Sequence, residues 1–133
     1  MNALFEKFSP WADLAGRILI ALIFITAGWS KIGGFEGTQQ YMAAMGVPGA
    51  LLPLVIITEL GGGLLIVAGL FTRYTALALA GFSILSAVLF HGNVADPSEQ
   101  IQFMKNLAIA GGFLFLVAHG AGKLSLDYRF GRS

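Results

Sequence analysis

The chain has 133 residues, of which 56% are hydrophobic and 11% charged, with a net charge of +1 and no cysteine. An ordinary soluble domain carries about 25% charged residues, so this chain lacks the polar groups to cover a water-facing surface, and lipid is the expected solvent for most of it. The missing cysteines exclude a disulfide, a thiolate metal site and a dithiol redox centre, and the scattered basic residues give no nucleic-acid footprint.

The length predicts a single domain over residues 1–133. A bilayer-spanning helix needs about 20 mostly apolar residues. Four segments qualify, at residues 11–30, 51–71, 74–91 and 101–120, so the expected fold is an all-α integral membrane protein, a four-transmembrane-helix bundle. Residues 2–10 place Leu4, Phe5 and Phe8 on one side and are expected to lie flat at the interface before Trp11. The first span has a poor positive n-region, because Glu6 cancels Lys7, and it carries Arg17, so it reads as a retained helix rather than a signal peptide. Arg17 is expected to snorkel to the headgroups or to pair with Asp13 one turn earlier.

The loop from Lys31 to Ala50 is long for a hairpin, and "EGTQQYMAAMGVP" predicts a short interfacial helix with Tyr41, Met42 and Met45 touching membrane or bundle. It is read as a connector on the lipid surface rather than a gating lid. The second span, "VIITELGGGLLIVAGL", carries Glu59 with nine or more uncharged residues on either side. Gly62 and Gly63 lie three and four positions on, one turn deeper on the same face. Removing side chains there serves close helix packing or leaves room for a ligand, and packing is the favoured use in membranes. Gly92-Asn93 ends the third span, and Asp96-Pro97 marks the start of the fourth, with Asp as N-cap and Pro at the first helical position.

Orientation follows from the loop charges. The termini and the second loop carry Lys7, Arg73, Lys123, Arg129 and Arg132, whereas the other two loops carry Lys31 with Glu36, Asp96 and Glu99. Both termini are therefore expected in the cytoplasm. "GGGLLIVAG" (Gly61 to Gly69) echoes "GGFLFLVAHG" (Gly111 to Gly120), which fits a duplicated hairpin and chance similarity about equally.

Glu59 lies roughly 18 Å above the inner edge near Phe71, close to the midplane. An ionised carboxylate there requires a counter-charge. Lys31 and Lys105 are the candidates if it is ionised, and Asn106 or a backbone carbonyl if it is protonated. His91, Trp29 and Ser86 fall at nearby depth. The candidate proton-transfer groups are thus Glu59, Lys105 and His91, and the candidate binding residues are Lys31, Gly62, Gly63, Asn106 and Trp29. His91 and His119 differ in depth by roughly 20 Å, too far to share a haem iron. No metal-ligand set, nucleotide loop or Ser-His-Asp pattern is identified.

Arg17 followed by "FITAGWSKIGGF" (Phe24 to Phe35), "YMAAMGVP" (Tyr41 to Pro48), Glu59 with its glycines, "GLFTR" (Gly69 to Arg73), "KNLAIAGG" (Lys105 to Gly112) and "GAGKLSLD" (Gly120 to Asp127) together resemble the DoxX family of small bacterial inner-membrane proteins. The resemblance spans nearly the whole chain. It implies a four-helix domain in the bacterial inner membrane and an association with redox complexes, because relatives include a subunit of a thiosulfate:quinone oxidoreductase. Three readings follow: a quinone-linked membrane oxidoreductase or its membrane subunit, a non-catalytic scaffold for a partner enzyme, and a small-solute permeation unit that would need to oligomerise. Under the first, the cofactor is a quinone and the partners are redox proteins or further copies of the chain. Whether the chain is itself an enzyme is left open.

Overall fold

The computed structural model describes residues 2–132, and the described residues are all helical or connecting, with no strand among them. Four helices are long and apolar enough to cross a membrane: Asn2–Gly33, Gly49–Ala68, Thr72–His91 and Pro97–His119. We label them α1, α3, α4 and α5. The connecting helix Phe35–Ala44 is α2, and the short C-terminal helix Leu126–Arg129 is α6. The expected spans agree with these to within a few residues, except that α1 runs unbroken through Pro10. The segment before Trp11 was expected to lie flat as a separate piece. It instead continues the α1 helix, in which Pro10 removes one N–H without ending the run.

At the break before α5, the Asp96 carboxylate accepts from the Ser98 N–H at 3.0 Å, and Pro97 opens the helix. This is the cap expected there. Helices α4 and α5 make the most extensive pair, and α1 packs along α3. All four meet in one core: Ala21 and Phe24 of α1, Ile66 of α3, Ala76, Leu79 and Ala80 of α4, Ala110 and Phe113 of α5. The Phe24 and Phe113 rings lie 5.5 Å apart, and the alanines around them let the backbones approach.

The α1–α3 seam is held close by glycine on both sides. A Cβ on Gly28 would lie 3.0 Å from the Leu60 backbone nitrogen, and one on Gly63 would lie 2.7 Å from Ile25 Cγ1. Gly63 thus serves packing, as does Gly62, whose Cβ would meet Leu79 at 3.1 Å.

Helix α3 is not regular. It opens as a 3-10 turn at Gly49–Leu51, is α-helical over Leu52–Ile56, widens to a π turn at Ile57–Gly61, and returns to α geometry over Gly62–Ala68. Glu59 is the middle residue of the π turn. Single π turns inserted in α-helices recur at functional sites.

Candidate functional site

A cavity of about 410 Å³ lies beside Glu59, between α3 and α4 and bordered by the end of α1. Its walls are mostly apolar, including Val55, Phe82, Leu85 and Phe90. Leu54, Leu85 and Leu89 are both wall residues and exposed, so the cavity opens sideways where lipid chains would lie. The polar groups on the wall are Lys31, Thr38, Tyr41, Thr58, Glu59, Ser86 and His91.

Glu59 and Lys31 form an ion pair, Nζ to Oε1 at 2.7 Å, with side chains 8% and 27% exposed respectively. The backbone explains the encounter. Gly28 brings α1 against Leu60, and Lys31 stands one turn further along α1, within reach of the neighbouring Glu59. An ammonium keeps three donors, so one bond to Glu59 leaves two for a ligand. His91 closes the other end of the cavity wall and bonds through Nδ1 to Glu99 Oε2 at 2.8 Å.

Helix α2 covers this space. Thr38, Tyr41 and Met42 line the cavity, and Met42 is buried. The Tyr41 ring stacks on Phe90 at 5.6 Å, and Gln39 Nε2 donates to the Gly49 carbonyl at 3.1 Å. The expected connector on the lipid surface forms a roof that packs onto the bundle through buried Met42 and the Tyr41–Phe90 stack, while much of Tyr41 and Met45 stays exposed.

Of the residues singled out from the sequence, the structure brings Lys31, Glu59 and His91 to one cavity. It does not bring Lys105, Asn106 or Trp29 there. Lys105 is exposed and donates to Gln102 one turn earlier at 2.5 Å. Trp29 points outward, and Asn106 is half-buried away from the cavity. The α5 helix meets the bundle through Ala110 and Phe113, a face that turns Lys105 outward. Gly62 and Gly63 lie in helix seams rather than on the wall of this cavity. The α2 roof and Thr58 were missed as site residues; the aromatic and methionine pattern of the first loop was the available signal.

A second polar cluster sits at the opposite end of the bundle. Arg17 is 1% exposed, so it neither snorkels nor forms an ion pair with Asp13. Its guanidinium donates to the carbonyls of Ile66 at 3.1 Å and Val67 at 3.0 Å, and to that of Leu124. The Ile66 and Val67 carbonyls belong to the last turn of α3, where the helix dipole is negative. The tail reaches this point because Asp127 accepts from the Phe71 and Thr72 N–H groups, each at 2.8 Å, and donates its own N–H to the Gly69 carbonyl. The carboxylate thus caps α4. Burial opposes its charge, but the Thr72 and Phe71 donors and the nearby Arg132 hold the Asp127 carboxyl below its ordinary range. Gly69 has φ 68° and lies against Arg17 and Ser125, so a side chain there meets both strain and clash. Phe71 also adopts a left-handed conformation, φ 51°, held by its bond to Asp127. This cluster secures the fold and is remote from the cavity wall.

The inner membrane protein YqjF of Escherichia coli is 59% identical over 92% of this chain and 94% of its own length. The inner membrane protein YphA of the same organism is 41% identical, over 94% of each. CatD of Bacillus subtilis, provisionally named an oxidoreductase, is 33% identical over 67% of this chain and 63% of its own. No solved structure matches the chain. The DoxX family profile matches residues 12–92, a stretch that contains every residue lining the cavity. With four membrane-spanning helices and these relatives, the chain is an inner-membrane protein belonging to the DoxX family.

Proposed function

We propose that the chain is a quinone-binding membrane subunit of a redox system, with the cavity beneath α2 as its quinone site. One observation carries the reading: a single ion pair, Lys31–Glu59, set into an otherwise apolar cavity that opens toward lipid. A quinone needs an apolar slot for its ring and tail, and donors or acids at its oxygens. The volume of about 410 Å³ falls within the range of small-molecule sites, roughly 300–1,000 Å³. The donor set of Lys31, Ser86 and His91 fits a molecule with two carbonyl oxygens.

When bound, a quinone supplies two-electron, two-proton chemistry. The protein's residues hold and neutralise. Lys31 would hold a ring oxygen through a charge-assisted donor, and Glu59, shielded from water, would hold a proton beside it. Val55, Phe82 and Leu85 would exclude water from a ring held there, and the opening beside Leu54 and Leu89 would leave room for a tail. The chain has no cysteine, so electrons pass to or from a partner's cofactor rather than a dithiol here. The oxidoreductase label on CatD supports redox chemistry in one relative. With the basic residues of the termini and of the α3–α4 turn in the cytoplasm, the cavity belongs to the outer half of the membrane.

The test is direct. Protein purified in mild detergent is extracted with solvent and its lipid-soluble cofactors identified, and decylubiquinone is titrated into the delipidated protein. Co-purified quinone is expected, with affinity reduced at least about tenfold in a folded Glu59→Gln variant. Absence of quinone together with no binding would leave the cavity pair as part of a scaffold.

A further inference from the structure

Glu59 is nearly sealed from water, yet a group that exchanges protons must reach water somewhere. The titratable groups on the cavity wall are Lys31 from α1, Tyr41 from α2, Glu59 from α3 and His91 from α4. Lys31 is the ion-pair partner of Glu59 itself. Of the other two, the Tyr41 ring stacks on Phe90, whereas the His91 ring has a nitrogen bonded to a further acidic side chain. Its ring has a second contact outside the cavity: Nδ1 meets Glu99 Oε2 at 2.8 Å, and the Glu99 side chain is 34% exposed. Glu99 does not line the cavity but belongs to the first turn of α5, beyond the α4–α5 connection. One residue thus touches the cavity on one side and a water-accessible carboxylate on the other.

We propose that His91, positioned by Glu99, is the proton-exchange group linking the Glu59 cavity to the aqueous phase at the α4–α5 turn. This rests on the proton chemistry assigned to the cavity above. The bond to Glu99 occupies Nδ1 and leaves Nε2 free. A proton arriving at Nε2, from Glu59 by way of water or a ligand oxygen, is matched by release of the Nδ1 proton to the Glu99 carboxylate. Glu99 then gives it to water. One proton enters and one leaves, no electron moves, and the ring ends as the other tautomer, which the reverse transfer resets. Glu99 is a positioning residue that also receives the proton. A surface His–Glu pair with no such role would leave the proton kinetics of the cavity unchanged.

The experiment reads the Glu59 carboxyl itself, without a redox partner. A rapid pH jump from about pH 5 to about pH 9 is applied to the detergent-solubilised protein, and the carboxyl stretch is followed by infrared spectroscopy. The band is assigned by its loss in Glu59→Gln. His91→Gln is expected to slow equilibration of the band at least about tenfold, with the same end point. Added imidazole should restore the rate. Glu99→Gln should slow it less, and serves as the second variant if His91→Gln does not fold. Equal rates in the wild type and both variants overturn the proposal, as does a Glu59 carboxyl band that does not respond to the jump. Decylubiquinone titration of the same preparations separates the two ideas: loss of quinone binding with a His91-dependent rate removes the quinone reading alone, and normal binding with His91-independent rates removes the relay alone.

Discussion

Consider removal of each half of the Lys31–Glu59 pair. Lys31→Met leaves a carboxylate that is 8% exposed and has lost its partner at 2.7 Å. Thr58, the nearest hydroxyl in sequence, already donates to the Leu54 carbonyl. Breaking a buried pair in this way costs roughly 3–5 kcal/mol, and the 27% exposure of Lys31 places this case at the low end, about 3 kcal/mol. Glu59→Gln is milder. The stranded ammonium sits two residues from the end of α1 on a flexible stem and can swing toward the headgroups, so the expected cost is about 1–2 kcal/mol. The double variant Lys31→Met with Glu59→Gln removes both charges and should cost about as much as Glu59→Gln alone. The cycle then shows a coupling of about 3 kcal/mol. Reversible unfolding in mixed detergent micelles, followed by tryptophan fluorescence, measures all four proteins. Additive costs, within about 0.5 kcal/mol, would refute the claim that the two groups neutralise each other in a poorly hydrated site.

Three further outcomes are expected. Asp127→Ala orphans the buried Thr72 N–H and the part-buried Phe71 N–H at the start of α4 and should destabilise by about 1–3 kcal/mol in the same assay. Because the folded Asp127 carboxyl lies below its unfolded value of about 3.9, its stabilisation is present above that pH and is lost as pH falls through the folded value. The wild type should therefore lose stability on acidification below about pH 4 by a component that Asp127→Asn lacks. Gly63→Leu must separate α1 from α3, since even a Cβ meets Ile25 at 2.7 Å; a loss of at least about 1–3 kcal/mol is expected, and an unchanged protein would contradict the packing. A reporter active only outside the inner membrane should be silent when fused to the C-terminus and active when inserted near Ser98, and the reverse pattern would invert the orientation.

Much of the architecture is legible in the residues alone. Apolar stretches long enough to cross a bilayer, separated by Gly, Pro and Asn, determine four helices, and Asp96-Pro97 marks where α5 begins. The need of Glu59 for a partner is likewise a property of the sequence, because a lone carboxylate amid apolar residues is disfavoured whatever the fold. Which lysine answers it is not. A membrane helix is apolar on nearly every face, so its hydrophobic pattern does not say how it is rotated. Lys31 and Lys105 were equal candidates until the α1–α3 seam at Gly28 and the α5 contacts of Ala110 and Phe113 set the rotations. The π turn around Glu59, the roof made by α2 and the burial of Arg17 are tertiary outcomes too. Arg17 bonds to carbonyls 49, 50 and 107 residues away, and the last is reached only because the tail folds back after Gly122. Local spacing places a charge at a depth in the membrane; only the packed chain decides whether it meets lipid headgroups, a backbone carbonyl or the wall of a cavity.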